Sequence, residues 1–262
     1  MKEKFGFNPE ETFEIDSKVK ELLDFTSKGK ALEADWEELF RKYSEKHPEL
    51  SAELTRRFSG KLPEGWEKAL PTFKSSDKAD ATRNLSGNVL RALSKVLPEI
   101  IGGSADLNPS TKTYLNGYAD FQKKTPAGRN LRFGVREHAM CAISNGISAY
   151  GGFLPFGATF LNFIGYALGA VVLSALGDFP VLHIFTHDSP GLGEDGPTHQ
   201  PVDKYAVSRA VPNLLFIRPA DGNEVSGAYA AYLQNPRSPA VLSLTRQNVP
   251  HLDGTSIEGV FF

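Results

Sequence analysis

The sequence predicts an α/β fold, a parallel sheet flanked by helices on both faces and preceded by a helical arm. Three observations predict it. Composition changes near residue 75, from a Lys-, Glu- and Asp-rich helical pattern to short apolar runs alternating with longer amphipathic stretches. That alternation is the grammar of βαβ units, whose crossovers place helices on the sheet faces. The polar residues also gather just after the apolar runs, at the strand ends where open α/β sheets bind ligands. With 262 residues, 40% hydrophobic and 23% charged, the chain suits one large domain with an appendage, and wholesale disorder is excluded on composition.

The expected division is a helical connecting arm over 1–75 and an α/β domain over 76–262. In the arm, Lys18–Phe25 sets Val19, Leu22, Leu23 and Phe25 toward one side, and Trp36, Leu39, Phe40 and Tyr43 recur three and four apart, as on an amphipathic helix. A third helix opens at Pro48, a favoured first-turn residue, and runs through Leu50, Leu54 and Phe58 to about Gly60. Three short charged helices make a poor core of their own. Beyond 75, a helix over Thr82–Leu97 is followed by a strand at Glu99–Gly103. A strand at Asn130–Gly134 leads into a helix over Glu137–Ala149. The unit repeats as strand Phe153–Ala158 and helix Phe160–Leu176. Pro180–Thr186 is the clearest strand, followed by a Gly-rich loop and a helix starting near Thr198. Strands at Asn213–Arg218 and Ala240–Thr245 enclose a helix through Glu224–Leu233.

The charge balance, 29 basic against 31 acidic side chains, lacks the basic surplus of a polyanion binder, so nucleic acid is not an expected partner. Cys141 is the single cysteine, which excludes an internal disulfide and a cysteine metal cage and fits a reducing compartment. No apolar run reaches about 18–20 residues, and the opening MKEKFGFNPEE lacks the apolar centre of a signal peptide. The expectation is a cytoplasmic protein with no membrane partner.

Topology places Asp106, Glu137, the group His187, Asp188, Glu194, Asp195 and His199, and finally Arg246 after successive strands. The loop T-H-D-S-P-G-L-G-E-D-G-P-T-H-Q-P (186–201) concentrates imidazoles and carboxylates suited to proton transfer or hydroxyl recognition, or, more plainly, is a solvated loop whose Thr198 or Asp195 caps a helix. His183 and His187 share a strand face about 13 Å apart, too far for one metal ion, so no metal site is expected from them. Glu137 opens a helix, where an acid complements the dipole; a half-buried carboxyl there also suits proton exchange with a heterocycle. Phe160, Phe163 and Tyr166 form either a core stripe or a stacking platform. Arg83, Arg136 and Arg246 either hold a phosphate or pair with nearby acids.

Six ordered segments, I-G-G-S-A-D-L-N-P-S (101–110), R-F-G-V-R-E-H-A-M (132–140), F-G-A-T-F-L-N-F-I-G-Y-A (156–167), the 186–201 loop, R-P-A-D-G-N-E (218–224) and L-T-R-Q-N (244–248), closely resemble transketolase. The resemblance spans essentially the whole chain and matches the connecting arm and the pyrimidine-binding (PYR) domain of that thiamine-diphosphate enzyme; dihydroxyacetone synthase shares the motifs. It implies that Glu137 holds the ring nitrogen of the aminopyrimidine, promoting the imino form that takes the thiazolium C2 proton. Phe163 would stack on the pyrimidine, with Phe160 and Tyr166 lining its pocket and Asp106 facing the thiazolium. Asp195 would recognise a sugar hydroxyl, His199 the reacting end of the substrate, and Arg83, Ser110, His187 and Arg246 its terminal phosphate. Glu137, His187 and His199 are thus the catalytic expectations, and sugar phosphates of the pentose phosphate pathway the expected substrates.

The chain departs from that pattern. The family's Gly-Asp-Gly motif, which binds the diphosphate through Mg²⁺ or Ca²⁺, does not occur here; Glu194-Asp195-Gly196 belongs to the matched loop. Val172 stands where an arginine is expected and Pro190 where the loop usually carries an aliphatic residue. The resemblance therefore implies one wall of a site, completed by the diphosphate-binding domain of a second subunit, homodimerisation being one option. The chain alone is expected to be inactive. A non-catalytic self-associating module and a metal-dependent hydrolase using His187, Asp188 and His199 are the rival readings.

Overall fold

The computed structural model describes residues Met1–Val260; the expected domain end at Phe262 lies outside them. Two compact units divide after Leu54, inside a helix. The first holds α1 (Ser17–Leu23), α2 (Thr26–Lys46) and the start of α3 (Pro48–Phe58). Asp16 caps α1 by accepting from the Lys18 amide. On α2, Arg41 pairs with Glu38 and Glu45, one turn away on either side. Among residues 1–54 only Ser51 is buried, as three amphipathic helices without a shared core require.

The second compact unit begins at Thr55. Trp66 and Leu70 are buried in its main core, with Leu62 and Phe73 packed against it, so the stretch after α3 is tied to the sheet unit by apolar burial that its charged composition conceals. A two-residue strand β1 (Asp80–Ala81) leads into α4 (Thr82–Val96). Then come β2 (Ile100–Ser104), the one-turn α5 (Asn108–Thr111), β3 (Asn130–Arg132) and α6 (Glu137–Tyr150). β4 (Leu154–Phe160), α7 (Ile164–Leu176), β5 (Leu182–Thr186) and α8 (Lys204–Arg209) follow, before β6 (Leu215–Ile217), α9 (Gly222–Gln234), β7 (Ala240–Leu244) and β8 (Asn248–Val249).

Among the described residues, six strands form a parallel sheet in the order β3-β2-β4-β5-β7-β6, and β1 pairs antiparallel with β8. Strand alternation sorts the two faces. Leu182, Ile184 and Leu242 join the core beneath α4 and α9, whereas Phe185 and Val241 join the core beneath α6 and α7. Burial on both faces is why β5 and β7 read as near-continuous apolar runs.

Two expectations are corrected. The helix expected near Thr198 begins at Lys204 instead. Side chains hold the intervening loop: Asn162 Nδ2 donates to the Thr198 carbonyl and Gln200 Nε2 to that of Pro190, while Pro197 and Pro201 oppose helical continuation. Phe160 ends β4 rather than opening a helix; a 3₁₀ turn over Leu161–Phe163 intervenes before α7. β1, β8 and α5 are too short to carry a periodicity signal, and none was foreseen.

Candidate active site

Register fixes the rim. Phe160 pairs with Thr186 and Thr186 with Leu244, so three adjacent strands end level and release Phe160, His187 and Arg246 together. Ser104 pairs with Ala158, which brings the chain at Asp106 out on the same edge.

His187 is the hub. Its backbone is left-handed (φ 58°), turning the chain sharply as it leaves β5. Nδ1 lies 2.8 Å from Thr186 Oγ1, and Nε2 lies 3.4 Å from Arg83 Nη1 and 3.8 Å from Asp195 Oδ2. The imidazole stacks on Phe160, centroids 3.7 Å apart. Burial, reinforced by the Arg83 charge, pushes its pKa down to about 4, so the ring is neutral at neutral pH.

Around it stand the basic groups. Arg83 Nη1 donates to the Ser110 carbonyl at 3.1 Å, and its buried Nε has no hydrogen-bond partner among the described residues. Arg246 approaches Asp195 at 3.8 Å and Glu194 at 3.3 Å. Burial and then the nearby Arg246 lower the pKa of Arg83 below the ordinary guanidinium range. A dianion would relieve that repulsion and satisfy the orphaned donor, and planar guanidinium forks suit phosphate. Gly193, at φ 113°, lets the loop pass beside Arg246: a Cβ there would sit 2.8 Å from Nη1.

The aromatic side is continuous with this group. Phe163 lies 5.7 Å from Phe160, 5.8 Å from the exposed Tyr166 and 5.1 Å, edge-on, from His199. His199 Nδ1 is 2.8 Å from Thr198 Oγ1. Glu137, the first residue of α6, is buried, and its Oε1 accepts from Thr159 Oγ1 at 3.3 Å. Among the described residues no hydrogen bond, ion pair or ring contact joins Glu137 or Asp106 to the hub. Glu137 reaches it only through the Thr159–Phe160 backbone, and Asp106, exposed at φ 63°, stands apart on the rim. Ser110 contributes a carbonyl already taken by Arg83. Arg136 donates to the Phe133 carbonyl and stays outside.

Thr159 and Asn162 were missed; both sit inside the aromatic segment as a short polar residue between phenylalanines, which is the only signal they offer. Asp188 is fully buried, its Oδ2 accepting from Arg218 Nε at 2.7 Å and from Tyr205 Oη at 3.3 Å. With Oδ2 engaged and Oδ1 buried, the carboxylate is not presented at the surface for hydrolase chemistry with His187 and His199. Among the described residues no group of three or more His, Cys, Asp or Glu side chains is placed to hold a metal ion.

Residues 78–251 match the family model described as transketolase, pyrimidine binding domain. The chain belongs to the transketolase family. Residues 1–63 match the model of the transketolase thiamine diphosphate binding domain, so most of the stretch expected as a connecting arm carries sequence of that domain. The transketolase of Scheffersomyces stipitis is 52% identical over 98% of this chain and 39% of its own length. The solved structure of Pichia stipitis transketolase in complex with sedoheptulose-7-phosphate superposes with a TM-score of 0.94 at 52% identity, covering 99% of this chain and 39% of that one. A split-gene transketolase, solved as an inactive β4 tetramer, gives a TM-score of 0.54 at 28% identity over 68% of this chain and 55% of its own. The chain thus spans about two-fifths of the length of the curated transketolases it matches.

Proposed function

We propose that this chain supplies the pyrimidine-facing wall and the sugar-phosphate contacts of a site that transfers a two-carbon ketol unit from a ketose phosphate to an aldose phosphate. The observation that carries the reading is the convergence of Arg83, Phe160, His187, Asp195, His199 and Arg246 from separate elements onto one sheet rim. The rim fits thiamine diphosphate in kind: Glu137 Oε1 has a single long bond, and Phe163 presents a ring flanked by Phe160 and Tyr166. When bound, thiamine diphosphate supplies the electron sink for cleaving and forming the carbon–carbon bond. Glu137 holds a proton at the pyrimidine ring nitrogen. His187, held neutral, and His199 present ring nitrogens to substrate oxygens, and Asp195 accepts from a sugar hydroxyl. Arg83 and Arg246 clamp the phosphate and so set the distance from it to the reacting carbon. Dihydroxyacetone synthase chemistry would use the same wall.

The diphosphate and its Mg²⁺ or Ca²⁺ have no Gly-Asp-Gly motif here, and we propose that they are held by the diphosphate-binding domain of a second subunit, so that the 262-residue chain alone does not turn over. The inactive tetramer of the split-gene relative supports this reading. Calorimetric titration of thiamine diphosphate with Mg²⁺ tests it. Weak binding, abolished by Glu137→Ala, with no ketol transfer until the complementary domain is added, is the expected result. Full turnover by the chain alone, or binding indifferent to Glu137→Ala, overturns it.

A further inference from the structure

At the opposite end of the sheet from the rim, the amino ends of β2, β4 and β5 border a cleft of about 250 Å³. Its walls are apolar: Phe58, Leu62, Phe153, Leu154, Tyr232 and Leu233. The Tyr232 hydroxyl already donates to the Pro180 carbonyl at 2.7 Å, leaving the ring as an apolar surface. Gly151 and Gly152, both at positive φ, turn the chain beside the Phe58 ring, which lies at ordinary contact distance, 3.6–3.7 Å, from where a Cβ would sit on either. The result is a smooth slot.

Its charge is asymmetric. The one acid in the wall, Glu99, is buried and neutralised by a bidentate pair with Arg56 at 2.9 and 3.1 Å. Arg57 and Lys61 also line the cleft, and among the described residues the exposed Lys61 ammonium has no acidic partner within ion-pair distance. We infer that this cleft is a binding site for a small aromatic monoanion, an aryl carboxylate whose rings enter the slot and whose carboxylate meets Lys61 at the mouth. The volume sets the size: it falls below the range of about 300–1,000 Å³ that holds drug-sized ligands, and suits one or two fused rings. A second anionic group carried into the slot would approach the Glu99 carboxylate.

The probe is 2-naphthoate, titrated into the 262-residue protein by calorimetry and saturation-transfer NMR, with the isosteric neutral 2-naphthamide alongside. Saturable binding of the acid, about tenfold tighter than the amide, is expected. Lys61→Gln should bring the two to equal affinity, and Ser148→Phe, which projects a ring from the cleft wall on α6, should abolish both. Leu173→Ser, on the exposed face of α7, should change neither. No saturable binding, equal affinity for acid and amide in the unaltered protein, or binding that survives Ser148→Phe overturns the site. If Ser148→Phe fails to fold by circular dichroism, Lys61→Gln, at an exposed position, decides alone.

Discussion

The imidazole of His187 lies against the ring of Phe160, centroids 3.7 Å apart and planes 30° apart. One residue ends β4 and the other leaves β5, and the Phe160–Thr186 register brings them level. Contact with an apolar face on one side and Arg83 on the other keeps the imidazole uncharged.

That has a pH consequence. His187 titrates near 4 in the folded chain and the wholly buried His183 near 3, both held down chiefly by burial, against the ordinary imidazole value of 6.5. Between those values the unfolded chain binds more protons, so this contribution to stability is complete above about pH 6.5 and is lost as pH falls toward 4. Thermal melts across that window should show the loss, with a shallower slope for His187→Asn. A midpoint that held steady on acidification would refute the neutral, buried imidazoles.

Asp188 and Arg218 anchor the base of the 186–201 loop from beneath. Asp188→Ala removes the acceptor of a 2.7 Å ion pair and strands Arg218. The expected cost is about 2–4 kcal/mol in urea unfolding, less than for a wholly buried orphan charge because Arg218 keeps partial access to water. Asp188→Asn should lose less, retaining a carbonyl acceptor.

Gly193→Ala places a methyl 2.8 Å from Arg246 Nη1, inside contact distance, and strains a backbone at φ 113°. We expect a strain cost of about 1–3 kcal/mol and displacement of Arg246. Inorganic phosphate, titrated by NMR, should bind about tenfold more weakly than to the unaltered chain. Unchanged phosphate affinity would separate Arg246 from anion recognition.

Cys141 is buried 3.6 Å from His183 Nδ1, and burial pushes its thiol up to about 12. It should resist a thiol-specific disulfide reagent in the native protein and react fully in denaturant. Rapid native labelling would show that α6 opens.

Much of this was legible in the residues. The helices α4, α6 and α9 and the strands β2, β5 and β7 fall where periodicity and apolar runs put them, because each element's burial pattern is written locally, in steps of 3.6 or 2 residues. Six motifs carried the family. The residue types at the site were legible for the same reason: they follow strand ends.

Partnership was not. That Asp188 turns inward to Arg218 while its neighbour His187 turns to Phe160, that Thr159 rather than a hub residue meets Glu137, and that residues 55–75 join the sheet unit through Trp66 and Leu70 are long-range outcomes. Local sequence determines which face of an element is apolar and which strand end is polar. Only the packing of distant elements decides which polar group finds a partner, since each buried donor or acceptor takes whichever group the register brings within hydrogen-bonding reach.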